Sequence, residues 1–173
     1  VCIAAVNSAR SVTLSGARPA IEALVAAEKA KDADDPSRVR CIVLPIPRAY
    51  HSHMVDAVGD VFETTALRGA ALSSVAEFDT RIRAPAPANT DDDERPFLVS
   101  TATGKLMTEA PGLSHWLANM RGAVRYESGC AAAVAQRTLE KGARRFIVEL
   151  SPHPVTTPYL RENMLPACAN VFS

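Results

Sequence analysis

RVRCIVLPIPRAYHSHM, Arg38 to Met54, joins an apolar run to two prolines and then presents Arg48-Ala49-Tyr50-His51. A short apolar run flanked by breakers fits a strand better than a helix, so Cys41, Ile42, Val43 and Leu44 are expected to form a buried strand. Pro45 and Pro47 end it. The chain then leaves an ordered edge just before His51, where an imidazole can be held in one orientation while its tip stays accessible.

Upstream, Val1 to Val6 is apolar and opens with neither a methionine nor a polar lead-in, which reads as a cut chain. Asn7-Ser8-Ala9-Arg10 has turn composition and Ser11 to Leu14 reads as a second strand, giving a hairpin closed by Gly16. Ala20, Ile21, Leu24 and Val25 follow helical spacing, with Pro19 near the first turn where a missing amide is tolerated. Lys31 to Ser37, KDADDPS, breaks that periodicity with charge and proline and is expected to be a surface loop.

Downstream, the spacing of Val55, Val58, Val61 and Phe62 places a helix over Val55 to Leu67, directly after His53. Residues 68–95 read as a linker, with a Pro-Ala-Pro-Ala run and an acidic run, Asp91 to Glu94, that lacks the alternating spacing of a calcium loop. Phe97 to Ser100 is expected as a short buried strand and Thr101 to Lys105 as a turn. Helices are expected over Leu113 to Met120, with Trp116 and Leu117 on the apolar side, and over Cys130 to Leu139, stopped by Gly142. Phe146 to Leu150 is apolar at four of five positions, which suits a strand covered on both faces of a parallel sheet. Strands alternating with helices give an α/β class, whose sites lie at the carboxyl ends of strands.

Composition narrows the function classes. The 173 residues are 47% hydrophobic and 22% charged, enough for one ordinary core, and their formal net charge is zero. No clustered basic excess points to nucleic acid or a membrane surface, and no apolar run reaches bilayer length. A cytoplasmic protein is the expectation. Cys2, Cys41, Cys130 and Cys168 are widely spaced without a Cys-x-x-Cys pair, so all four read as small core hydrophobes rather than metal ligands or redox thiols.

Taken together, VNSARSVTLSG (Val6 to Gly16), LPIPRAYHSHM (Leu44 to Met54), STATG (Ser100 to Gly104), HWLANMRGAVRY (His115 to Tyr126) and FIVELSPHPV (Phe146 to Val155) resemble, in order, the acyltransferase domain of polyketide synthases. These domains are related to malonyl-CoA:acyl-carrier-protein transacylases. The resemblance implies that residues 1–47 are part of a ferredoxin-like small subdomain. Residues 48–173 would then be the carboxyl-terminal part of a hydrolase-like parallel-sheet core. It also implies transfer of an acyl group from acyl-CoA to the phosphopantetheine thiol of an acyl carrier protein, with no bound cofactor, beside other domains of a polyketide synthase.

Within that resemblance His51 matches the catalytic histidine, the last residue of a four-residue specificity motif. Aligning NMRGAV on the family's Asn-Leu-Arg-x-Pro-Val puts Asn119 where a backbone carbonyl accepts from the imidazole, with Met120 and Ala123 departing from the pattern. Malonyl-specific domains tend to carry His-Ala-Phe-His and methylmalonyl-specific ones Tyr-Ala-Ser-His. The bulky Tyr50 therefore favours malonyl, while Arg48 matches neither. Asn7 and His153 match positions near the bound acyl-CoA and the mouth of the site. Only His53 stands between Ser52 and Met54 where the family commonly has two residues.

One part is missing. A nucleophile elbow needs Gly-x-Ser-x-Gly at a strand-to-helix turn, and the nearest stretch, Gly112 to Trp116, has tryptophan in place of the second glycine. Ser114 there is expected to cap the helix. The serine and the family's carboxylate-binding arginine are expected outside this sequence, leaving the chain inactive alone and its apolar edges exposed. Two other readings compete. One is a catalytically inactive interaction module. The other is a metal site built on His51-x-His53 in extended chain, with Asp56 near in sequence.

Overall fold

The computed structural model describes residues 1–82, 97–136, 146–164 and 170–172. Two strands open the chain, β1 (Cys2–Ser8) and β2 (Ser11–Ser15), paired antiparallel from Cys2↔Ser15 to Ser8↔Ser11. The Ser8 hydroxyl accepts the Arg10 amide at 3.3 Å and so closes the tight turn the sequence calls for. The other edge of β1 is taken by β5 (Val124–Arg125), which lies parallel to it through Ala5↔Val124 and Val6↔Arg125. Strands far apart in sequence thus share one sheet.

Helix α1 (Arg18–Ala30) carries Pro19 in its first turn, where no amide is missed. The charged loop 31–37 follows, mostly exposed. The expected strand at Cys41 to Leu44 is not formed. Residues 38–47 run without strand or helix, with Ile42 68% and Val43 60% exposed. Their backbone–backbone bonds are local, from the Ile46 amide to the Leu44 carbonyl at 2.8 Å and from the Arg38 amide to the Asp35 carbonyl at 3.0 Å, while the Val39 amide donates to the Glu28 carboxylate at 2.9 Å. Strand character needs a neighbour to complete its ladder, and none of the described strands lies beside this run. Cys41, read as core, is exposed with it, whereas Cys130 is buried and Cys2 half-buried; Cys168 lies outside the described residues.

After His51 a short 3-10 turn (His53–Val55) leads into α2 (Asp56–Ala70). Ala71, at φ 55°, ends α2 in the left-handed conformation and returns its amide to the last turn. Helix α3 (Val75–Ile82) then occupies part of the stretch read as a linker, so that expectation is corrected for residues 75–82. Proline and charge set the earlier reading, but α3 is held by contacts with α2 and α4 (Leu113–Arg121), which local composition does not reveal. The acidic run lies outside the described residues.

Strands β3 (Leu98–Ser100) and β4 (Lys105–Met107) form a hairpin across the expected turn. Gly104, at φ 70°, makes that turn possible and bonds to the Ser100 carbonyl at 2.7 Å. Helix α5 (Tyr126–Ala135) starts four residues before the expected position, and Gly142 lies outside the described residues. Strand β6 (Phe146–Val148) pairs parallel with β7 (Asn170–Phe172), and α6 (Thr157–Met164) connects them in sequence. Among the described residues β6 is covered on one face only. Phe146 and Val148 are 60% and 65% exposed, while Ile147 packs on Cys130, Leu160 and Met164, the core between α5 and α6. The fold is mixed α/β.

Candidate active site

His51 stands between the open run and α2 in a conformation that side chains seldom adopt, φ 57°. Such a backbone costs of order 1–3 kcal/mol and needs surrounding contacts to hold it. Its amide donates to the Met120 carbonyl at 3.1 Å. Its ring Nδ1 lies 2.9 Å from the Asn119 carbonyl oxygen and 3.0 Å from that of Gly122. Carbonyl oxygens have no proton to give, so Nδ1 must carry the hydrogen and share it between them. In the neutral ring Nε2 then holds the lone pair, the tautomer a proton acceptor requires.

The three carbonyls come from the end of α4 and the residue just past it, where last-turn carbonyls lack helical partners. Local chemistry fixes the other side. Ser52, 3% exposed, donates its hydroxyl to the Ala49 carbonyl at 2.6 Å and accepts the Met54 amide at 3.2 Å, capping the 3-10 turn. The Cys2 thiol approaches the His51 carbonyl at 3.6 Å, bringing β1 to the same point. Arg121 Nε meets Asp56 Oδ1 at 2.9 Å, linking the end of α4 to the start of α2.

At the other end of α4, Gly112 is the cap and offers no side chain to the first amides. The carboxylate of Asp79 on α3 takes that role. It accepts the Ser114 amide at 3.3 Å and the Ser114 hydroxyl. Ser114 is therefore the capped residue rather than the cap, which corrects the sequence expectation. Its hydroxyl is committed to Asp79. Trp116 on the same helix, expected on the apolar side, is 50% exposed and lies edge-on to His115.

The remaining candidates are spread out. Arg48 and Tyr50 are exposed immediately before His51. Asn7, on β1, donates its amide to the Thr13 hydroxyl at 3.1 Å and accepts Asn163 of α6 on its carbonyl at 2.7 Å. His153 is exposed in the loop between β6 and α6. No hydrogen bond or ion pair among the described residues joins these four side chains to His51.

That last loop is held by Glu149, whose carboxylate accepts the Thr157 hydroxyl at 2.6 Å, the Thr157 and Thr156 amides at 2.8 and 2.9 Å, and the Ser151 hydroxyl at 3.1 Å. These donors, Thr157 foremost, lower its pKa to about 2. The metal reading does not survive in its stated form. His51 is left-handed and His53 opens a 3-10 turn, so the pair is not on extended chain. Among the described residues no three His, Cys, Asp or Glu side chains gather to hold a metal.

Sequence reasoning missed Gly122, Met120, Ser52 and Asp79. Gly122 and Met120 act through backbone oxygens, which residue identity does not report. Ser52 carried the turn-residue signal of a hydroxyl before a helical start. Asp79 lay in a stretch read as linker.

The architecture is that of acyltransferase domains. A loading acyltransferase from the avermectin modular polyketide synthase superposes with a TM-score of 0.67 at 26% identity, over 98% of this chain and 44% of that one. The acyltransferase domain of SpnD, solved with 2-(pent-4-yn-1-yl)malonyl, gives a TM-score of 0.68 at 24% identity over 98% of this chain and 34% of that one, a likeness of fold. The sequence relatives are polyketide synthases. They include NorC of the spectinabilin system of Streptomyces orinoci, 32% identical over 162 residues, 92% of this chain and 6% of the relative. Another is the hybrid PKS-NRPS synthetase pynA of Aspergillus niger, 30% identical over 155 residues, 89% of this chain and 3% of the relative. No protein-family profile matches. Along nearly its whole length, then, the chain has the fold and sequence pattern of polyketide-synthase acyltransferase domains, while spanning under half of each such domain structure named here.

Proposed function

We propose that this chain is part of an acyltransferase that moves an acyl group, malonyl by preference, from coenzyme A to the phosphopantetheine thiol of an acyl carrier protein, with His51 as the base. The observation that carries the reading is the tautomer. The Asn119 and Gly122 carbonyls hold Nδ1–H, leaving Nε2 free to accept a proton. Nε2 takes the proton of a serine hydroxyl as that oxygen attacks the thioester carbonyl carbon, and returns it to the departing coenzyme A sulfur. In the second half Nε2 takes the carrier thiol's proton. The thiol sulfur attacks the acyl-serine ester, and the serine oxygen leaves with the proton. The serine is one these 173 residues do not offer in a Gly-x-Ser-x-Gly setting.

Tyr50 adjoins the base and is assigned to the acyl pocket, where its ring leaves little room for an α-methyl branch. A methyl contributes about 1–3 kcal/mol of discrimination, so this is a preference. Asn7 and His153 are assigned to acyl-CoA contact on their matches to the family blocks, and Arg48 on its place at the head of the four-residue motif although its residue type departs from the pattern. Other polyketide-synthase domains would be the partners, and no bound cofactor is required. No helix among the described residues is long and apolar enough to cross a membrane.

The test uses the complete source reading frame and counts radiolabelled malonyl delivered to a carrier protein. His51→Gln should lower transfer by about 10²–10⁴-fold. Tyr50→Ser should narrow malonyl over methylmalonyl preference by about tenfold. Unchanged transfer by His51→Gln sinks the assignment of His51 as the base, and no transfer by the wild-type complete frame leaves the inactive interaction module as the reading. The isolated 173-residue chain is expected to form no labelled carrier protein.

A further inference from the structure

Helix α4 has nine residues, and both of its ends are occupied. Its C-terminal end supplies the Asn119 and Met120 carbonyls, and Gly122 just beyond supplies the third, so three oxygens on one short rod fix the His51 ring and backbone. The N-terminal end has no cap of its own, because Gly112 carries no side chain. Asp79 fills that place from α3. It is buried, and its carboxylate accepts both the amide and the hydroxyl of Ser114. Gly112 is matched to this contact, since a methyl group there would overlap the Asp79 carboxylate. A negative charge at a helix N-terminus is favourable, and here it also anchors.

The rod is about 13 Å long at the usual rise per residue, and its interior hydrogen bonds make it move as a unit. Leu113, 2% exposed, packs the same end. Releasing the N-terminal end therefore lets the three carbonyls tilt away from His51. The left-handed His51 backbone depends on those contacts.

We propose that Asp79 is a positioning residue for His51: by anchoring the N-terminal end of α4 to α3 it sets the carbonyls that fix the imidazole tautomer. The proposal rests on the reading of His51 as the base, but its test does not. In the ¹⁵N-labelled 173-residue chain, long-range ¹H–¹⁵N spectra report which ring nitrogen of His51 carries hydrogen, and amide exchange reports the His51 to Met120 bond. Wild type should show hydrogen on Nδ1. Asp79→Ala should give mixed tautomers and His51 amide exchange faster by about tenfold or more, with β1–β2 amides unchanged. Asp79→Asn keeps an acceptor for Ser114 but loses the charge, and should fall between wild type and Asp79→Ala.

If Asp79→Ala also loses β1–β2 protection, Asp79→Asn disturbs the same contact in milder form and carries the same reading. Faster exchange confined to Leu113 and Ser114, with the His51 ring and amide as in wild type, overturns the proposal and leaves Asp79 a helix cap. In the complete reading frame Asp79→Asn should lower kcat with KM for acyl-CoA unchanged. Intact transfer by His51→Gln would remove the base assignment while the spectra still decide whether Asp79 acts on His51.

Discussion

Residues 38–47 and 50–56 are neighbours in sequence and opposites in the fold. The first is rich in Val, Ile and Leu, yet it has no ladder partner and exposes most of its apolar side chains. The second holds polar residues and a strained backbone at His51, yet bonds from Met120, Asn119 and Gly122 reach it across some seventy residues of sequence. Apolar character gives a segment a reason to be covered. It does not provide the cover. Order here follows the availability of partners for backbone donors and acceptors, and α4 supplies them to one segment and not to the other.

The comparison is broken most forcefully at α4. Leu113→Ala removes a fully enclosed side chain at the base of the clamp and should cost about 2–5 kcal/mol in urea unfolding. Leu44→Ala in the open run should stay within about 0.5 kcal/mol. Equal costs would mean that the open run is covered in solution.

Hydrogen exchange sharpens the same contrast without mutation. The His51 amide should exchange at least about tenfold more slowly than those of Ile42 and Val43, because only the former has a long-range acceptor. Comparable rates would show that the clamp opens as easily as the run beside it.

The loop held by Glu149 is a useful control, because it is pinned by a titrating acceptor where the His51 amide is pinned by a carbonyl. Glu149 has its pKa lowered from 4.5 to about 2. A depressed carboxylate pKa means the folded state prefers the ionised form, so its stabilisation is complete above 4.5 and is lost as pH falls from 4.5 towards 2. Amides of residues 156 and 157 should lose protection over that window, and Glu149→Gln should remove the pH dependence. A loop indifferent to acid would discount the hydrogen bonds drawn to that carboxylate.

The smallest effect is expected at Arg121 and Asp56, whose side chains are 65% and 45% exposed. A double-mutant cycle should give at most about 1 kcal/mol of coupling, shrinking with added salt. A larger, salt-insensitive value would make this pair a second anchor of the clamp.

Much of the local structure was legible because its causes are local. The turn composition of Asn7 to Arg10 predicted the β1–β2 hairpin, though Asn7 and Ser8 end β1 itself, Pro19 predicted the start of α1, and the spacing of Val55, Val58, Val61 and Phe62 the helix after His53. The order of the sequence blocks pointed to the acyltransferase fold. The misreadings at Cys41 to Leu44, at α3 and on the outer face of β6 share one cause: pattern reports what a segment would bury, while its neighbours decide whether it does. For the site, residue order alone shows that an imidazole follows a proline-ended run and that NMRGAV stands downstream. Packing brings the Gly122 and Met120 carbonyls beside that of Asn119 on His51, and Asp79 to the helix presenting them. The physical reason is that these contacts are made by main-chain oxygens and by a carboxylate from another helix. Their position is set by how three elements pack, and no side-chain pattern along the chain encodes it.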